Sequence, residues 1–239
     1  RTYNSPMCKF EVVNDSSLGA ARNLVQNNHF KTCILNFASP SKPDFAFLNG
    51  QQSQENSFLR QTSLYSTLKD SQMYRDNSSL SNNMYSDSMV YSSRVPVFRS
   101  PFYERLFSQK EVYEVSFISA AAPILPANNT NNMNNMQRKL MNQQYMGNSV
   151  QNANAILLDR VRKMIMVAIE NNNSALVIGI YGNQLFDNNQ TSVLINVFNQ
   201  VLKSDGLGKY FIKVVFALIL KDSHSNEMFK QFTASFTNI

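Results

Sequence analysis

Three mostly apolar runs constrain the fold of this chain more than any other feature. They are TCILNFA at Thr32–Ala38, ALVIGIY at Ala175–Tyr181 and FIKVVFALIL at Phe211–Leu220. Each is too short to span a membrane and has the length of a strand that is buried on both faces, as in parallel sheets. A fourth strand is predicted at Val112–Ala120, where polar and apolar residues alternate.

Helical patterns lie between these strands. Asp15-Ser16-Ser17 is an N-cap signal for a helix that continues to about Asn27. Further helices are predicted at Gln51–Leu68, Ile156–Ile169, Thr191–Leu202 and Asn226–Phe236, whereas residues 69–93 are predicted to be an irregular surface excursion. Strands that alternate with helices predict a three-layer α/β/α fold with a mixed, mostly parallel sheet, in a single domain over residues 1–239.

The composition excludes several classes of protein. Hydrophobic residues make up 43% of the 239 residues, which is enough for a sizeable core and excludes a disordered or collagen-like chain. No run of about 18 apolar residues is present, so a transmembrane helix is not expected. Cys8 and Cys33 are too few for a disulfide framework or a zinc cluster. With only His29 and His224 beside them, we expect no metal and no cofactor.

The net charge of +6 at first suggests an anionic partner. Charged residues are only 16% of the chain, however, against a usual share of about 25%. The tightest basic groups are Arg138-Lys139 and Arg160/Arg162/Lys163, and no aromatic-plus-basic RNA motif accompanies them. A solvated basic face explains these groups, and nucleic-acid binding is unsupported.

An Asn/Met-rich stretch of low complexity is predicted as an insertion at about 126–152. Its methionines are either a soft contact surface for a partner or loop filler.

The chain starts at Arg1 with no basic-then-apolar leader, so we expect a processed product or part of a longer chain.

Five segments, taken in order along the chain, match the pattern of one known family. They are FEVVNDSSLGAARNLV, CILNFASPSKPDFAFLNGQQSQENSFLRQTSLY, VYSSRVPVFR, VSFISAAAP and LVIGIYGNQLFDNN. In these segments the chain resembles the microbial-type poly(ADP-ribose) glycohydrolases. The resemblance implies a macrodomain-like fold and an ADP-ribose cleft, which we expect at the carboxyl ends of the strands, where ligands of such sheets bind.

The chain departs from the family at the positions nearest to the chemistry. Where the family has three glycines around the diphosphate, this chain has Asp44, Phe45 and Ala46. The family's Gln-Glu-Glu becomes Gln54-Glu55-Asn56, so the second Glu, which is the family's general acid, falls on Asn56. An amide cannot deliver that proton, and such acid catalysis contributes about 10²–10⁴-fold. Glu55 cannot simply replace the acid, because adjacent helix residues point about 100° apart.

The second phosphate loop is partly retained. Gly179, Gly182, Phe186 and Asn188 match the family, whereas Gln184 and Asp187 replace glycines, and Ile124 replaces an Asn in an earlier loop. Asn36 also matches a family position. Other interpretations stay open for three residues: Glu55 as a helix-surface carboxylate, Phe186 as a core aromatic instead of an adenine-stacking ring, and Asn36 as a partner of backbone groups.

The sequence therefore predicts a pseudoenzyme with no catalytic residue and a vestigial ADP-ribose cleft. It would act as a structural or interaction subunit that binds other proteins in a larger assembly. The alternatives are a non-hydrolysing ADP-ribose reader and, less favoured, a residual ADP-ribose glycohydrolase. The expected location is intracellular, in the cytosol or nucleus, with a cytoskeletal or ciliary assembly as a candidate that no residue fixes.

Overall fold

The computed structural model describes residues 8–40, 48, 53–80, 84–101, 105–123, 148–180 and 191–237. These residues form one six-stranded sheet with helices on both faces. The elements are β1 (Lys9–Asn14), α1 (Ser17–Gln26), β2 (Thr32–Ala38), α2 (Gln54–Gln61), α3 (Leu64–Leu68), α4 (Gln72–Ser78), β3 (Met89–Val97), β4 (Tyr113–Ala121), α5 (Asn148–Glu170), β5 (Ala175–Gly179), α6 (Thr191–Asn199), β6 (Lys213–Leu218) and α7 (Ser223–Phe236). A π-helical turn, Gln200–Ser204, continues α6, and a 3₁₀ turn, Leu207–Tyr210, precedes β6.

The sheet is mixed and mostly parallel. Its strand order is β1-β6-β5-β2-β4-β3, and all neighbouring strands run parallel except β3, which pairs antiparallel with β4 at the edge. Every residue of β2 and β5 is buried, as their mostly apolar sequences predict for central strands. The predicted α/β/α fold class is therefore confirmed.

The apolar core consists of one layer on each face of the sheet. Successive residues of a strand point to opposite faces, so Ile34 and Leu35 of β2 belong to different layers. On the face of Leu35, α5, α6 and α7 contribute Leu157, Ile165, Phe198, Phe232 and Phe236. On the face of Ile34, α1 to α4 contribute Leu18, Leu24, Phe58, Leu64 and Met73.

The prediction of one continuous helix over Gln51–Leu68 is wrong. The backbone of Thr62 is extended, with φ −138° and ψ 169°, and it separates α2 from α3. Thr62 forms an isolated antiparallel bridge with Val97 of β3, and its hydroxyl donates a hydrogen bond to the Phe58 carbonyl over 2.8 Å. The pairing with β3 thus interrupts a helix that local propensity alone would continue.

The prediction that residues 69–93 form an irregular surface segment is also wrong in part. The segment contains α4 and the first residues of β3. Side-chain hydrogen bonds hold the segment between these two elements. The Asn77 Oδ1 atom accepts hydrogen bonds from the Ser86 backbone N–H (2.8 Å) and from the Ser86 hydroxyl (2.6 Å). Such contacts follow no hydrophobic period, so the sequence pattern does not reveal them.

The long helix α5 starts at Asn148, before the predicted start at Ile156. The last residues of the Asn/Met-rich stretch are therefore helical, and the rest of it lies outside the described residues. Among the described helices, none has the length and apolarity needed to cross a membrane. The domain boundary at 1–239 stays a prediction.

Candidate functional site

The carboxyl ends of β1, β6, β5, β2 and β4 lie along one edge of the sheet, because these strands are parallel neighbours. Five predicted site residues fall within the described part of the chain: Asn36, Gln54, Glu55, Asn56 and Gly179. They lie on β2, in the first turn of α2 and at the end of β5. The other predicted residues lie outside the described residues, and they are Asp44, Phe45, Ala46, Ile124, Gly182, Gln184, Phe186 and Asn188.

The first turn of α2 is fixed to two neighbouring strands. Ser53 caps the helix, since its hydroxyl accepts a hydrogen bond from the Asn56 N–H over 3.1 Å. The Gln54 side-chain amide donates to the Gly179 carbonyl of β5 over 3.3 Å. The Glu55 Oε2 atom accepts from the Ser39 N–H, directly after β2, over 3.0 Å. These bonds hold the side chains of residues 54–56 at the strand ends.

Gly179 is required at the end of β5 because two side chains approach it closely. A Cβ atom at this position would overlap both the Gln54 Nε2 atom and the Ser17 hydroxyl. The retained glycine therefore serves the packing of α1, α2 and β5 against each other.

The polar side chains beneath the cleft are buried. Asn56 is 0% exposed and Glu55 is 4% exposed, so the alternative that Glu55 is a helix-surface carboxylate is wrong. Asn36 donates through Nδ2 to the Ser119 hydroxyl over 3.0 Å, so its described partner is a side chain and not the backbone. Burial, together with the negative charge of Glu55, raises the pKa of the Tyr74 phenol and keeps it protonated.

A small cavity of about 40 Å³, with both polar and apolar residues in its lining, lies at the ends of β1 and β6, between the first residues of α1 and α7. Its lining includes Asp15, Ser17, Lys221, Asp222 and His224. Burial raises the pKa of Asp15, although the Ser16 N–H donates to its Oδ1 over 2.6 Å. In Asp222 the pKa is lowered, chiefly by hydrogen bonds from Ser225. The cavity thus offers hydrogen-bond acceptors and a lysine side chain to a polar ligand.

The sequence pattern places none of these cavity residues in a site. It predicts an N-cap at Asp15-Ser16-Ser17, and Ser16 does cap α1, because its hydroxyl accepts a hydrogen bond from the Gly19 N–H over 2.9 Å. The available signal was the position of Asp15 just after a strand of the parallel sheet. A second hollow, of about 280 Å³, lies on the other side of His224 and includes Thr191, Glu227 and Gln231 in its lining.

Neither cysteine offers a reactive thiol. Both are free, and burial raises the pKa of Cys8 to about 11 and that of Cys33 further. Within the described ranges, no group of three or more His, Cys, Asp or Glu residues is arranged to hold a metal ion.

The fold defines a macrodomain-like α/β protein. The model of the family described as microbial-type PARG, catalytic domain (poly(ADP-ribose) glycohydrolase) matches residues 2–100. The glycohydrolase from Thermomonospora curvata has a TM-score of 0.79 and 26% identity, covering 97% of this chain and 77% of that one. The same enzyme bound to the inhibitor ADP-HPD has a TM-score of 0.76 and 28% identity, covering 96% of this chain and 79% of that one.

A point mutant of the Deinococcus radiodurans glycohydrolase in complex with ADP-ribose is similar as well. Its TM-score is 0.77 at 25% identity, and the match covers 98% of this chain and 88% of that one. No curated protein sequence matches the chain. The resemblance to the microbial-type poly(ADP-ribose) glycohydrolases that the sequence predicted is therefore confirmed, and the protein is poly(ADP-ribose) glycohydrolase-like.

Proposed function

We propose that this protein is a catalytically inactive relative of the poly(ADP-ribose) glycohydrolases that acts as a structural or interaction subunit of a larger assembly. The observation that carries the proposal is Asn56. It stands where the resemblance places the general acid, and it is fully buried at the start of α2. Because an amide has no acidic proton to transfer, the step that protonates the leaving ribose oxygen loses its donor.

Glu55 does not fill the same role in this proposal. One of its carboxylate oxygens accepts the hydrogen bond from Ser39 N–H, and that bond holds the end of β2 against α2. The sequence also places Asp44, Phe45 and Ala46 where the family has glycines, which adds a negative charge and an aromatic ring at the diphosphate position. The added negative charge and the added ring each disfavour the binding of the polymer's diphosphate.

The proposed interaction role follows from the features of the fold that the chain shares with the poly(ADP-ribose) glycohydrolases. The apolar strands and helices that build the fold are intact, while the residues nearest the chemistry have changed. A scaffold that retains its surface and stability but not its catalytic groups serves through what it contacts. Other proteins are the proposed partners, and an intracellular, cytoskeletal or ciliary setting stays a proposal from the sequence.

Release of ADP-ribose from an automodified polymer tests the loss of catalysis. With a bacterial poly(ADP-ribose) glycohydrolase as the control, we expect turnover at least about a hundredfold lower, because general acid catalysis contributes that much. Turnover closer to the control than that would contradict the proposal and support the residual glycohydrolase.

Purification of the native protein tests the interaction role: a monomer that co-purifies with no partner would contradict it.

A non-hydrolysing ADP-ribose reader is the second candidate. The relatives that were solved with ADP-ribose support it, and the hollow beside Asp15, of about 40 Å³, has room for a small part of such a ligand. Calorimetry with ADP-ribose decides between the candidates. A dissociation constant below about 10 μM, which is roughly 7 kcal/mol, would favour the reader. Asp15→Ala should then weaken binding, and an absence of heat at millimolar ligand would remove this candidate.

A further inference from the structure

The strand β1 forms one edge of the sheet and pairs with β6 only, within the part of the chain that the structure describes. The Lys9 N–H donates to the Ile212 carbonyl over 3.1 Å, so the backbone groups of Lys9 point toward β6. Alternate residues of a strand direct their backbone groups to opposite sides. The N–H and C=O groups of Phe10 and Val12 therefore point away from β6. No described residue forms a hydrogen bond to these groups, so the edge can accept another strand.

Four lysines surround the amino-terminal end of this edge. Lys9 and Lys213 are register partners on β1 and β6. The Lys203 Nζ atom lies 5.7 Å from the centroid of the Phe10 ring. Gly208 lies against the Phe10 ring, since a Cβ atom at Gly208 would be 3.1 Å from the Phe10 Cζ atom. Lys209 is the next residue in the chain and is therefore close to the same end of β1. We call Lys9, Lys203, Lys209 and Lys213 the β1 lysine cluster.

The positive charge of the β1 lysine cluster is largely uncompensated. Lys213 forms an ion pair with Glu11. Around Lys9, Lys203 and Lys209, by contrast, no carboxylate that the structure describes lies within 4.0 Å, although the Lys203 Nζ atom donates to the Ser235 carbonyl over 2.7 Å. The arginines elsewhere on the surface differ, since ion pairs join Arg94 to Glu114 and Arg105 to Glu111, among others. The cluster is therefore a local positive region that attracts an anionic partner.

The chemistry of the edge favours a polypeptide over a nucleic acid. The cluster consists of lysines alone and lacks the arginine forks that bind phosphates in a bidentate manner. The nearby Tyr210 ring has the Lys209 ammonium 5.2 Å from its centroid, so one face is already used. The outward N–H and C=O groups of Phe10 and Val12 match the spacing of a second β-strand, which a nucleic acid does not offer.

We propose that the outer edge of β1 is a docking site where an acidic, extended segment of a partner protein adds to the sheet. The backbone groups of Phe10 and Val12 supply strand pairing, and the β1 lysine cluster selects an acidic sequence. The site lies at the edge of the sheet, apart from the cleft residues of α2 and β5. It deepens the proposed interaction role and rests on it.

Fluorescence anisotropy with labelled ten-residue peptides tests the proposal on the full chain. The probe alternates Glu and Thr, one control replaces every Glu by Gln, and a second control places Pro at alternate positions. We expect binding of the first peptide only, and weakening as salt rises, because exposed charges are screened. Equal binding of the Gln peptide would overturn the charge selection, and equal binding of the Pro peptide would overturn strand addition.

Two variants locate the binding surface. Lys9→Glu combined with Lys209→Glu should weaken the acidic peptide at least about tenfold, whereas the exposed Lys110→Glu should change it less than about twofold. Val12→Pro removes an outward N–H and should weaken strand pairing while the bonds to β6 remain, although it also changes a side chain that packs against the core. Thermal unfolding of each variant separates lost binding from lost folding.

The remaining outcomes are equally decisive. Tighter binding of single-stranded RNA or of anionic vesicles than of the acidic peptide would overturn the proposal, as would a dimer formed through β1. A failure of peptide binding leaves the polymer-hydrolysis result unchanged, so the docking site and the loss of catalysis are judged separately.

Discussion

The side-chain amide nitrogen of Gln54 lies 3.3 Å from the carbonyl oxygen of Gly179, to which it donates a hydrogen bond. This bond and the bond from Ser39 N–H to Glu55 connect the first turn of α2 to β5 and β2, which are neighbours in the sheet. Residues that the resemblance assigns to a cleft therefore also hold the layers together.

Gly179→Ala should destabilise the fold by about 1–3 kcal/mol, the usual cost of overpacking a closed site. The added methyl group would overlap the Gln54 amide and the Ser17 hydroxyl. Chemical denaturation measures the change in the free energy of unfolding. Adding Gln54→Ala should recover part of the loss, because the two sites are coupled through contact. Strict additivity of the two substitutions would contradict this packing.

Glu55→Ala should cost about 1–3 kcal/mol, because the Ser39 N–H loses its acceptor. Glu55→Gln should cost less, since the side-chain oxygen of Gln can still accept that hydrogen bond. Urea denaturation of the two variants measures the difference. Equal losses in both would mean that the charge of Glu55, and not the hydrogen bond, stabilises this region.

Arg160→Met should be the most destabilising of the arginine substitutions in α5, at about 3 kcal/mol. The buried Arg160 guanidinium pairs with Asp87 and donates to the carbonyls of Met84, Tyr85 and Ala121. The matched control is Arg162→Met on the same helix, whose exposed pair with Asp205 contributes about 0–1 kcal/mol. A thermal shift of similar size for both variants would contradict the anchoring role of Arg160.

Glu111 should contribute to the acid sensitivity of the fold. Hydrogen bonds from Arg105, and from the backbone and hydroxyl of Ser108, lower the pKa of Glu111 from 4.5 to about 2. A carboxyl group whose pKa is lowered on folding stabilises the fold above its unfolded pKa, and this stability is lost as the pH falls from about 4.5 to 2.

Glu111→Gln should therefore flatten the dependence of the melting temperature on pH in that window. Thermal unfolding measured at several pH values from 6 downward, roughly one unit apart, checks this. Glu170→Gln is the control, because Glu170 is exposed and has no described ion pair. A wild-type slope retained in Glu111→Gln would show that Arg105 does not hold this carboxylate in solution.

The sequence by itself determined the central layers of this protein. The runs at Thr32–Ala38 and Ala175–Tyr181 are mostly apolar and have the length of strands that are covered on both faces. The N-cap Ser16 and the long apolar face of α5 are also local signals, because side-chain spacing alone reports them. The amide at position 56 is likewise read from the sequence, whereas its complete burial is not.

Only the tertiary structure decided the features that depend on contacts between distant segments. Thr62 ends α2 because β3 pairs with it, and Asp15 lines a cavity because α7 lies beside α1. The free edge of β1 within the described residues exists because β6 pairs with only one side of that strand. Hydrophobic periodicity reports which face of an element is buried, but it carries no information about which element lies against that face.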